Sequence, residues 1–560
     1  MTSRLFTLMI AAIPAAGLLA APASAAGAPR KYALLIGIGD YTYDVPDLEG
    51  PPHDVATLKR TLIDRWQFPT ENVKVLADGE ATKARILGAF DELATSTRAG
   101  DYIFIYYSGH GTSSYERSDL GLDNNTGAVV PADFKLSTPK ASDGLIVGNR
   151  DLRPRLEKID HDREVMVVFD SCYSGAAVRS LRARGKPRFV ELPRPKTRAL
   201  GGFPNDDEGE FGSATEKAVP FPYQNLIYIS AASKSEAARD ITSAEITRGE
   251  LATVDGRPHG ALTNSLLEAL SGAADSNGDR TLSYAELYGY VRENVSETFP
   301  HQPQLLAPDT RRDAMLAKGV MAASAPAAAT KPGKRPAEGD LRVKIDGAPE
   351  AVAKKLKGIK GVAVVDGGAY DVLVAPGKEG LTIFHASGDV IAALGTSATP
   401  DAVATRLQKQ LAVRALVDLK FDDQDFNVTV RVPGNRGFLR KGDPFTIEAE
   451  AEREAVFLLI DVDTSGHVSV LLPYSEAEMA PQHKLRVPPE PDALRVSPPY
   501  GTEYLKVFAF RQKPAGLDKW MKESFDATDP KLGKLVEWLR AAKGSRASDR
   551  LKVVTLESGS

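Results

Sequence analysis

Short apolar runs alternate with stretches of helical periodicity along residues 31–318. The runs are almost continuously apolar, which is typical of strands buried on both faces of a parallel sheet. The stretches between them repeat apolar residues at helical spacing. We therefore predict an α/β fold, in which helices flank a mostly parallel sheet. The predicted strands are Tyr32–Ile38, Val73–Leu76, Tyr102–Tyr107, Val165–Phe169 and Leu226–Ser230. The predicted helices are His53–Trp66, Lys83–Thr95, Arg150–Ile159 and Leu262–Leu270.

The pattern changes after this region. A stretch rich in Ala, Pro and Lys has the composition of a linker. Short strands then surround predicted helices at Ala351–Leu356 and Asp401–Val413, which indicates a small mixed α/β region. Alternating polar and apolar residues follow and predict a β-rich domain, and we predict that the tail is helical. The predicted boundaries are 26–318 for the first domain, 319–339 for the linker, 340–419 for the mixed region, 420–515 for the β-rich domain and 516–560 for the tail.

The amino terminus has the features of a secretory signal peptide over residues 1–25. Arg4 is the only basic residue before an uncharged stretch that includes the small-x-small pattern Ala23-Ser-Ala25. We therefore predict an exported protein, periplasmic or secreted, without a stable membrane anchor; retention of the segment as an anchor is the alternative. The formal net charge of −4 gives no reason to expect a nucleic acid or an anionic membrane surface as a partner.

A cysteine and a histidine follow two of the predicted strands. Cys172 is the only cysteine of the chain, and His110 stands after Tyr102–Tyr107. Neighbouring parallel strands present their carboxyl ends to one crevice, where ligands usually bind. A thiol and a base in that crevice are the groups that nucleophilic catalysis needs, and the backbone N–H groups of Gly111 and Cys172 are candidate oxyanion donors. The alternatives are an inert buried cysteine and a turn histidine without a chemical role.

Both motifs resemble those of the caspase and metacaspase superfamily of cysteine peptidases. Tyr106-Tyr-Ser-Gly-His110-Gly is similar to the histidine motif of the family, and Phe169-Asp-Ser-Cys172-Tyr-Ser-Gly is similar to its cysteine motif. The resemblance covers residues 31–318, including His53-Asp54 at the start of the first helix. It implies a caspase-like fold and an endopeptidase with peptide or protein substrates. A serine hydrolase fits less well, because the serines beside Cys172 do not stand in Gly-x-Ser-x-Gly.

The residue two positions before the cysteine suggests the specificity. Caspases have Gln-Ala-Cys where this chain has Asp170-Ser-Cys172, and the metacaspase branch has a similar aspartate, associated with a pocket for Arg or Lys. A carboxylate about 4 Å from a substrate cation gains on the order of 4 kcal/mol at an effective dielectric near 20. We therefore predict cleavage after basic residues, while a helix N-cap is the structural alternative for Asp170. Glu236 and Asp240 are further candidates for the pocket, or else solvated loop charges.

The interval after Cys172 carries blocks of opposite charge. Basic residues crowd between 179 and 198, and an acidic block, 206–210, follows. Such a stretch cannot bury a core and predicts a mobile loop. The resemblance implies a self-processing site within 179–220, so the chain has candidate cut sites there, with a solvated and uncleaved loop as the alternative. The candidate residues are Arg182, Arg184, Lys186 and Arg188.

Residues 275–286 match most of an EF-hand calcium loop. The predicted ligands are Asp275, Asn277, Asp279 and Glu286, whereas Arg280 replaces the glycine that is usual at the sixth position. Calcium is therefore a candidate ligand, and an Asx-rich turn that caps the next helix is the alternative. The acidic stretch 119–125 is similar to an acidic region of calcium-activated metacaspases. We expect that the chemistry requires no cofactor.

The β-rich region resembles a domain of unknown function that recurs behind bacterial caspase-like domains. The similarity rests on the segments 458–473 and 498–503. No residue in it indicates catalysis, so we expect it to bind or localise, with an envelope protein as a candidate partner. Two functions remain: an exported cysteine endopeptidase that uses Cys172 and His110, and a catalytically idle caspase-like scaffold that binds an envelope partner.

Overall fold

The structure is a computed structural model. It describes residues 29–113, 127–137, 141–172, 185–190, 223–232, 236–275, 279–308, 311, 314–316, 340–377, 380–396, 398–421, 423–433, 438–488 and 494–557. The predicted signal peptide and linker, the acidic stretch 119–125 and most of the 179–220 loop lie outside the described residues.

The first domain contains the predicted alternation of strands and helices. Its strands are β1 (Lys31–Gly37), β2 (Val73–Ala77), β3 (Tyr102–Ser108), β4 (Gly111–Ser113), β5 (Gly127–Val129), β6 (Ile146–Val147), β7 (Glu164–Asp170), β8 (Lys186–Pro187), β9 (Leu226–Ser230), β10 (Arg239–Ile241), β11 (His259–Gly260) and β12 (Gln304–Leu306). Its helices are α1 (Gly50–Trp66), α2 (Lys83–Ser96), α3 (Ala141–Gly144), α4 (Arg153–Asp160), α5 (Ser243–Thr247), α6 (Ala261–Glu268) and α7 (Tyr284–Thr298).

The main sheet has the strand order β12-β9-β7-β3-β1-β2 within the described residues. The pairs β1 with β2, β1 with β3, β3 with β7 and β7 with β9 are parallel. Strand β12 runs antiparallel to β9 at one edge. Two small antiparallel sheets, β11-β10-β8 and β4-β5-β6, lie beyond the carboxyl ends of the main strands.

Helices cover both faces of the sheet, which explains why the strands are apolar throughout. Along β3, Phe104 and Tyr106 belong to one hydrophobic core and Ile103 and Ile105 to the other. Side chains from α1, α6 and α7 fill the first core, and side chains from α2 and α4 fill the second. A strand between two such layers has no solvent face and therefore no polar alternation.

The mixed region 340–419 forms its own small sheet. The strands are β13 (Leu341–Ile345), β14 (Val362–Val365), β15 (Val372–Gly377), β16 (Gly380–His385) and β17 (Val390–Ala393), and the helices are α8 (Glu350–Leu356) and α9 (Pro400–Val417). The strand order is β14-β13-β15-β16-β17. Both helices lie where the apolar periodicity predicts them.

The C-terminal domain, residues 420–557, is mainly antiparallel. Its elements are β18 (Val428–Arg431), β19 (Leu439–Arg440), β20 (Pro444–Phe445), β21 (Ile447–Val462), β22 (His467–Leu472), β23 (Gln482–Val487), β24 (Leu494–Arg495), β25 (Thr502–Phe510), β26 (Ser524–Asp526), α10 (Pro530–Ala541) and β27 (Arg546–Leu556). The path β19-β27-β25-β21-β22-β26 forms its main sheet, onto which β18 and β23 pair through β21.

The predicted helical tail is wrong in two places. Within 516–560, α10 is helical, but β26 is a short strand that pairs with β22. In addition, β27 is an eleven-residue strand that pairs with β25 from Thr502 opposite Val554 to Phe510 opposite Arg546. The β-branched run Val553-Val-Thr555 favours this conformation.

None of the helices in the described part of the chain is both long enough and apolar enough to cross a membrane.

Candidate active site

The register between β3 and β7 aligns the two sequence motifs. Ser108 lies opposite Asp170 at the ends of these parallel strands. His110 and Cys172 each stand two residues beyond that pair, at the same edge of the sheet. The turn at Gly109 donates its N–H to the Asp170 carbonyl at 3.4 Å, which ties the two strand ends together.

His110 is buried and held in one orientation. Its Nε2 lies 2.7 Å from the Pro46 carbonyl oxygen, so Nε2 carries the proton and donates it there. The buried Nδ1 has no hydrogen-bond partner among the described residues and is left as the basic nitrogen. The hydroxyl of Tyr41 accepts the His110 backbone N–H at 2.8 Å. Burial lowers the pKa of His110 to about 4, so the imidazole is neutral.

Cys172 is fully buried as a neutral thiol. Its Sγ donates to the Ala238 carbonyl oxygen at 3.5 Å. Burial raises the pKa of the thiol to about 12, which outweighs the opposing effect of the Arg239 charge. A thiolate is the reactive form of cysteine. The structure therefore has a covered, protonated cysteine rather than a thiolate and imidazolium pair.

The cover is a segment of the chain itself, residues 185–190. The Gly111 N–H donates to the Arg188 carbonyl at 3.1 Å, and the Val190 N–H donates to the Gly111 carbonyl at 3.1 Å. On the other side, the Arg188 N–H donates to the Ala238 carbonyl at 3.0 Å, and β8 pairs antiparallel with β10. The segment thus lies extended between two stretches of backbone, as a bound peptide does in β-augmentation.

The side chain of Arg188 fills an acidic pocket next to the motifs. Its guanidinium is fully buried and contacts three carboxylates and a hydroxyl. These contacts are Nη1 to Ser108 Oγ at 2.7 Å, Nη1 to Asp170 Oδ2 at 3.3 Å, Nη2 to Asp54 Oδ2 at 3.0 Å and Nη2 to Asp240 Oδ1 at 2.7 Å. Despite its burial, the surrounding carboxylates raise the pKa of Arg188 further above its ordinary value.

Asp54 is the pocket residue with the densest set of partners. It accepts hydrogen bonds from Ser108 Oγ at 2.6 Å and from the Gly260 N–H at 3.1 Å. His259 lies behind it, with Nδ1 2.8 Å from Asp54 Oδ1 and Nε2 3.0 Å from Asp255 Oδ1. Burial acts to raise the pKa of Asp54, but the Arg188 charge and the His259 contact hold it below its ordinary value.

The other two pocket carboxylates are fixed by different elements. Asp170 Oδ2 accepts the N–H and the hydroxyl of Thr263 at 3.0 and 2.6 Å. Asp240 Oδ2 accepts the N–H groups of Glu49 and Gly50, each at 3.0 Å. Burial raises the pKa of Asp170 to about 6, against the opposing charge of Arg188. The end of β7, the middle of β10 and the beginning of α1 therefore each bring one carboxylate to the guanidinium.

Two glycines leave room for this arrangement. A Cβ on Gly260 would lie 2.0 Å from Asp170 Oδ2 and 2.7 Å from Arg188 Nη1. A Cβ on Gly50 would lie 2.2 Å from Asp240 Oδ1 and 2.8 Å from Arg188 Nη2. These separations are well below contact distance, so the pocket admits a guanidinium because neither position carries a side chain.

The structure brings together some predicted site residues and separates others. Asp170 and Asp240 both contact the Arg188 guanidinium, and the Gly111 N–H donates to the Arg188 backbone carbonyl. Glu236 is buried and accepts the Gln302 N–H at 2.9 Å. Cys172 and His110 stand at the aligned strand ends. Their catalytic roles, like the oxyanion role of Gly111 and Cys172, stay predictions.

Sequence reasoning gave no role to the third carboxylate. Asp54 appears in the His53-Asp54 pair, which the sequence links to the family but not to the pocket. It lies in α1, far along the chain from Arg188 and Asp240, and only the parallel sheet brings the three together. The internal occupant, Arg188, belongs to the predicted set of cut sites, but nothing local in the sequence distinguishes it from its basic neighbours.

The calcium loop is described only in part, because Asn277 lies outside the described residues. Asp279 Oδ1 accepts the Thr281 N–H at 2.7 Å, and Glu286 forms a capping box with Ser283 at the start of α7. Arg280 has a φ of 64°, the left-handed conformation for which glycine is usual in such loops. The described residues contain no cluster of three or more metal-ligating side chains suited to an ion. Calcium binding stays a prediction.

Comparison with protein families gives two matches. The model of the caspase domain matches residues 30–315, which includes both motifs and the acidic pocket. The model of a domain of unknown function, DUF4384, matches residues 439–513 within the C-terminal domain.

Individual relatives include metacaspases of a plant and a fungus. Metacaspase-6 of Arabidopsis thaliana is 31% identical over 156 residues, which cover 26% of this chain and 39% of that protein. Metacaspase-1A of Aspergillus oryzae is 26% identical over 308 residues, or 50% of this chain and 71% of that protein. The chain thus spans less than half of the plant relative. A crystal structure of protein GSU0716 from Geobacter sulfurreducens aligns with 50% of this chain and 95% of its own, at 19% identity and a TM-score of 0.34.

Proposed function

The chain belongs to the caspase-domain family of cysteine peptidases, and from this premise we propose that it is an endopeptidase that cleaves after arginine, and less efficiently after lysine. We propose further that its first substrate is its own Arg188–Phe189 bond. Export through residues 1–25 and a response to calcium are parts of the same proposal.

The burial of Arg188 is the observation that supports this specificity most strongly. A guanidinium out of water is costly unless it is paired, and here three carboxylates and a hydroxyl surround it. The pocket without its occupant would hold several buried carboxylates, which repel an acidic side chain and attract a cation. The contacts use both terminal nitrogens of the planar fork. Lysine offers a single ammonium, so it would satisfy fewer of these acceptors.

The backbone contacts support Arg188 as the residue whose carbonyl is attacked. That carbonyl accepts the Gly111 N–H at 3.1 Å, the contact expected of an oxyanion donor. The Arg188 N–H and Cys172 Sγ also share one acceptor, the Ala238 carbonyl, so the thiol lies close to this peptide. A Cβ on Gly111 would lie 1.8 Å from the Cys172 carbonyl oxygen, which makes glycine necessary there.

The proposed reaction then uses groups already described. Nδ1 of His110 accepts the proton of Cys172, and the sulfur attacks the Arg188 carbonyl carbon to form a C–S bond. The oxyanion that forms is held by the Gly111 N–H. The C–N bond to Phe189 breaks as its nitrogen takes the proton from His110, which leaves a thioester. Water, deprotonated by His110, attacks the carbonyl carbon of the thioester and forms a C–O bond. The C–S bond breaks, the sulfur takes the proton back from His110, and Arg188 is left with a free carboxyl group.

Peptide cleavage tests the proposal directly. Fluorogenic peptides that end in Arg, Lys or Asp are incubated with the mature protein and with Cys172→Ala, each with and without calcium. We expect Cys172-dependent turnover in the order Arg, then Lys, with none after Asp. Cleavage after Asp would contradict the specificity. Absence of all Cys172-dependent cleavage, from peptides and from the chain, would favour the idle scaffold.

A further inference from the structure

One wall of the cleft is formed by residues 236–241, which we call the cleft wall. Its Ala238 carbonyl accepts the Arg188 N–H at 3.0 Å and Cys172 Sγ at 3.5 Å. Its Asp240 carboxylate lies 2.7 Å from the Arg188 guanidinium. A displacement of the cleft wall would therefore disturb both the bound arginine and the thiol.

The segment after α7 makes one hydrogen bond to Ala231 and another to Glu236, the first residue of the cleft wall. His301 donates from Nδ1 to the Ala231 carbonyl at 2.7 Å. The Gln302 N–H donates to Glu236 Oε2 at 2.9 Å. All four residues are buried, so water does not compete for these hydrogen bonds. The beginning of the cleft wall is thus fixed by Gln302.

Gln302 is itself held by the C-terminal domain. Its side-chain Nε2 donates to the Lys552 carbonyl at 2.5 Å. Lys552 lies in β27, which is paired with β25 on one side and β19 on the other. Gln302 therefore bonds to the cleft wall through its backbone and to the C-terminal domain through its side chain.

Charged contacts anchor the same strand to α7. Arg292 is nearly fully buried and lies 2.8 Å from Asp549 through Nη2, while its Nη1 donates to the Val430 carbonyl at 2.9 Å. Arg550 lies 2.8 Å from Glu293. Separation of β27 from α7 would leave these buried charges unpaired, which is costly. The C-terminal domain is a fixed support for the segment that carries Gln302.

We infer that the C-terminal domain positions the cleavage cleft, with Gln302 as the positioning residue that connects β27 to Glu236. The effect of Gln302 on peptide cleavage rests on the proposed function. Its effect on the position of the cleft wall does not. Through β27, the C-terminal domain thereby keeps Ala238 and Asp240 in place for the arginine.

Gln302→Ala tests the inference in the full-length chain. The substitution removes the bond to Lys552 and leaves the backbone N–H that Glu236 accepts. We expect kcat/KM for an Arg peptide to fall about fivefold to tenfold, mainly through a higher KM, which corresponds to the loss of one buried hydrogen bond. Gln408→Ala is the matched control, because Gln408 is exposed on α9, in another part of the chain.

Amide hydrogen exchange tests the inference independently of catalytic activity. Amide hydrogen exchange of the peptide spanning 236–241 is compared among Cys172→Ala, Cys172→Ala with Gln302→Ala, and Cys172→Ala with Gln408→Ala. We expect faster exchange only with Gln302→Ala, with thermal midpoints confirming that all three variants fold. Unchanged exchange would overturn the inference whatever the activity. An inactive wild type with faster exchange in the Gln302 variant would instead refute the proposed function and leave the positioning role supported.

Discussion

Asp240 shows how one carboxylate can serve two partners at once. One oxygen contacts the Arg188 guanidinium and the other accepts two backbone N–H groups at the start of α1. An asparagine keeps a carbonyl and nearly the same volume but loses the charge. Its NH2 group, a donor, takes the place of one oxygen, so the substitution removes the charge and one hydrogen-bond acceptor while the volume of the side chain stays nearly the same.

We expect Asp240→Asn to reduce kcat/KM for Arg peptides by at least about 30-fold, because loss of one partner from a buried charge pair costs about 2–5 kcal/mol. Steady-state kinetics measure the change. Glu71→Gln, a substitution of an exposed carboxylate, is the control and should leave kcat/KM within about twofold of wild type. Equal activity of Asp240→Asn and wild type would contradict the assigned pocket.

A substitution at Gly260 tests whether the pocket has room for an added methyl group. Gly260 precedes α6 in an extended conformation with a φ of −63°, so alanine introduces no backbone strain. The added methyl group would overlap Asp170 and the guanidinium. We expect Gly260→Ala to lower kcat/KM for Arg peptides about fivefold to 150-fold, the range for overpacking by about 1–3 kcal/mol.

A glycine-to-alanine change in open space provides the comparison for that experiment. Gly88 lies within α2, and nothing stands within 4 Å of the Cβ that would be added. Gly88→Ala should preserve activity and stabilise the chain by about 0.5–1 kcal/mol through helix propensity. If both alanine variants retained full activity, close contact at Gly260 would not limit the pocket.

Among the structural elements, the segment 185–190 covers the cysteine, and we call this segment the plug. Cys172 is fully buried beneath it and its pKa is raised to about 12 by burial. An alkylating reagent needs both access and thiolate. The intact chain should therefore react slowly for as long as Arg188 stays in the pocket.

Arg188→Ala should release the plug, because it removes the contacts with three carboxylates. We expect iodoacetamide to alkylate Cys172 at least about tenfold faster in this variant near pH 8, since exposure returns the thiol pKa towards about 8.5. Mass spectrometry of chains that are still intact gives the rate. Arg60→Ala, an exposed arginine of α1, is the control. Equal rates in wild type and Arg188→Ala would exclude the plug.

The success of the sequence predictions depended on the element. Strands with two buried faces, such as β3 and β7, were predicted to within one residue of their ends, because continuous apolar runs have no alternative solvent face. The tail was wrong where β27 pairs with β25, since pairing between distant segments determines that strand more than its local propensity does. In the site, both motifs follow from local sequence. Asp54 and the choice of Arg188 do not, because they depend on which elements meet in space.

For the molecule as a whole, two half-buried acids of the C-terminal domain make stability sensitive to pH. Burial and the neighbouring carboxylates raise the pKa of Asp461 to about 7 and that of Glu503 to about 8. The two residues line a cavity of about 270 Å³ between the strands. Asp461 Oδ1 is buried and has no hydrogen-bond partner among the described residues.

The sign of this effect follows from proton binding. Between roughly pH 4 and pH 8 the folded state keeps protons that the unfolded state has lost, so stability falls as pH rises across that window. We expect the thermal midpoint, followed by tryptophan fluorescence, to be lower near pH 8 than near pH 5. Asp461→Asn with Glu503→Gln should reduce that difference, while Glu537→Gln on the exposed side of α10 should not. An unchanged difference in the double variant would contradict the assignment.

The position of self-cleavage tests directly whether the Arg188–Phe189 bond is the first substrate of Cys172. Purified full-length protein and Cys172→Ala are incubated side by side, and intact mass together with amino-terminal sequencing identifies any new end. The proposed self-cleavage predicts one early cut in the wild type, between Arg188 and Phe189, and an intact Cys172→Ala chain. A first cut at another residue, or the same cut in Cys172→Ala, would contradict it.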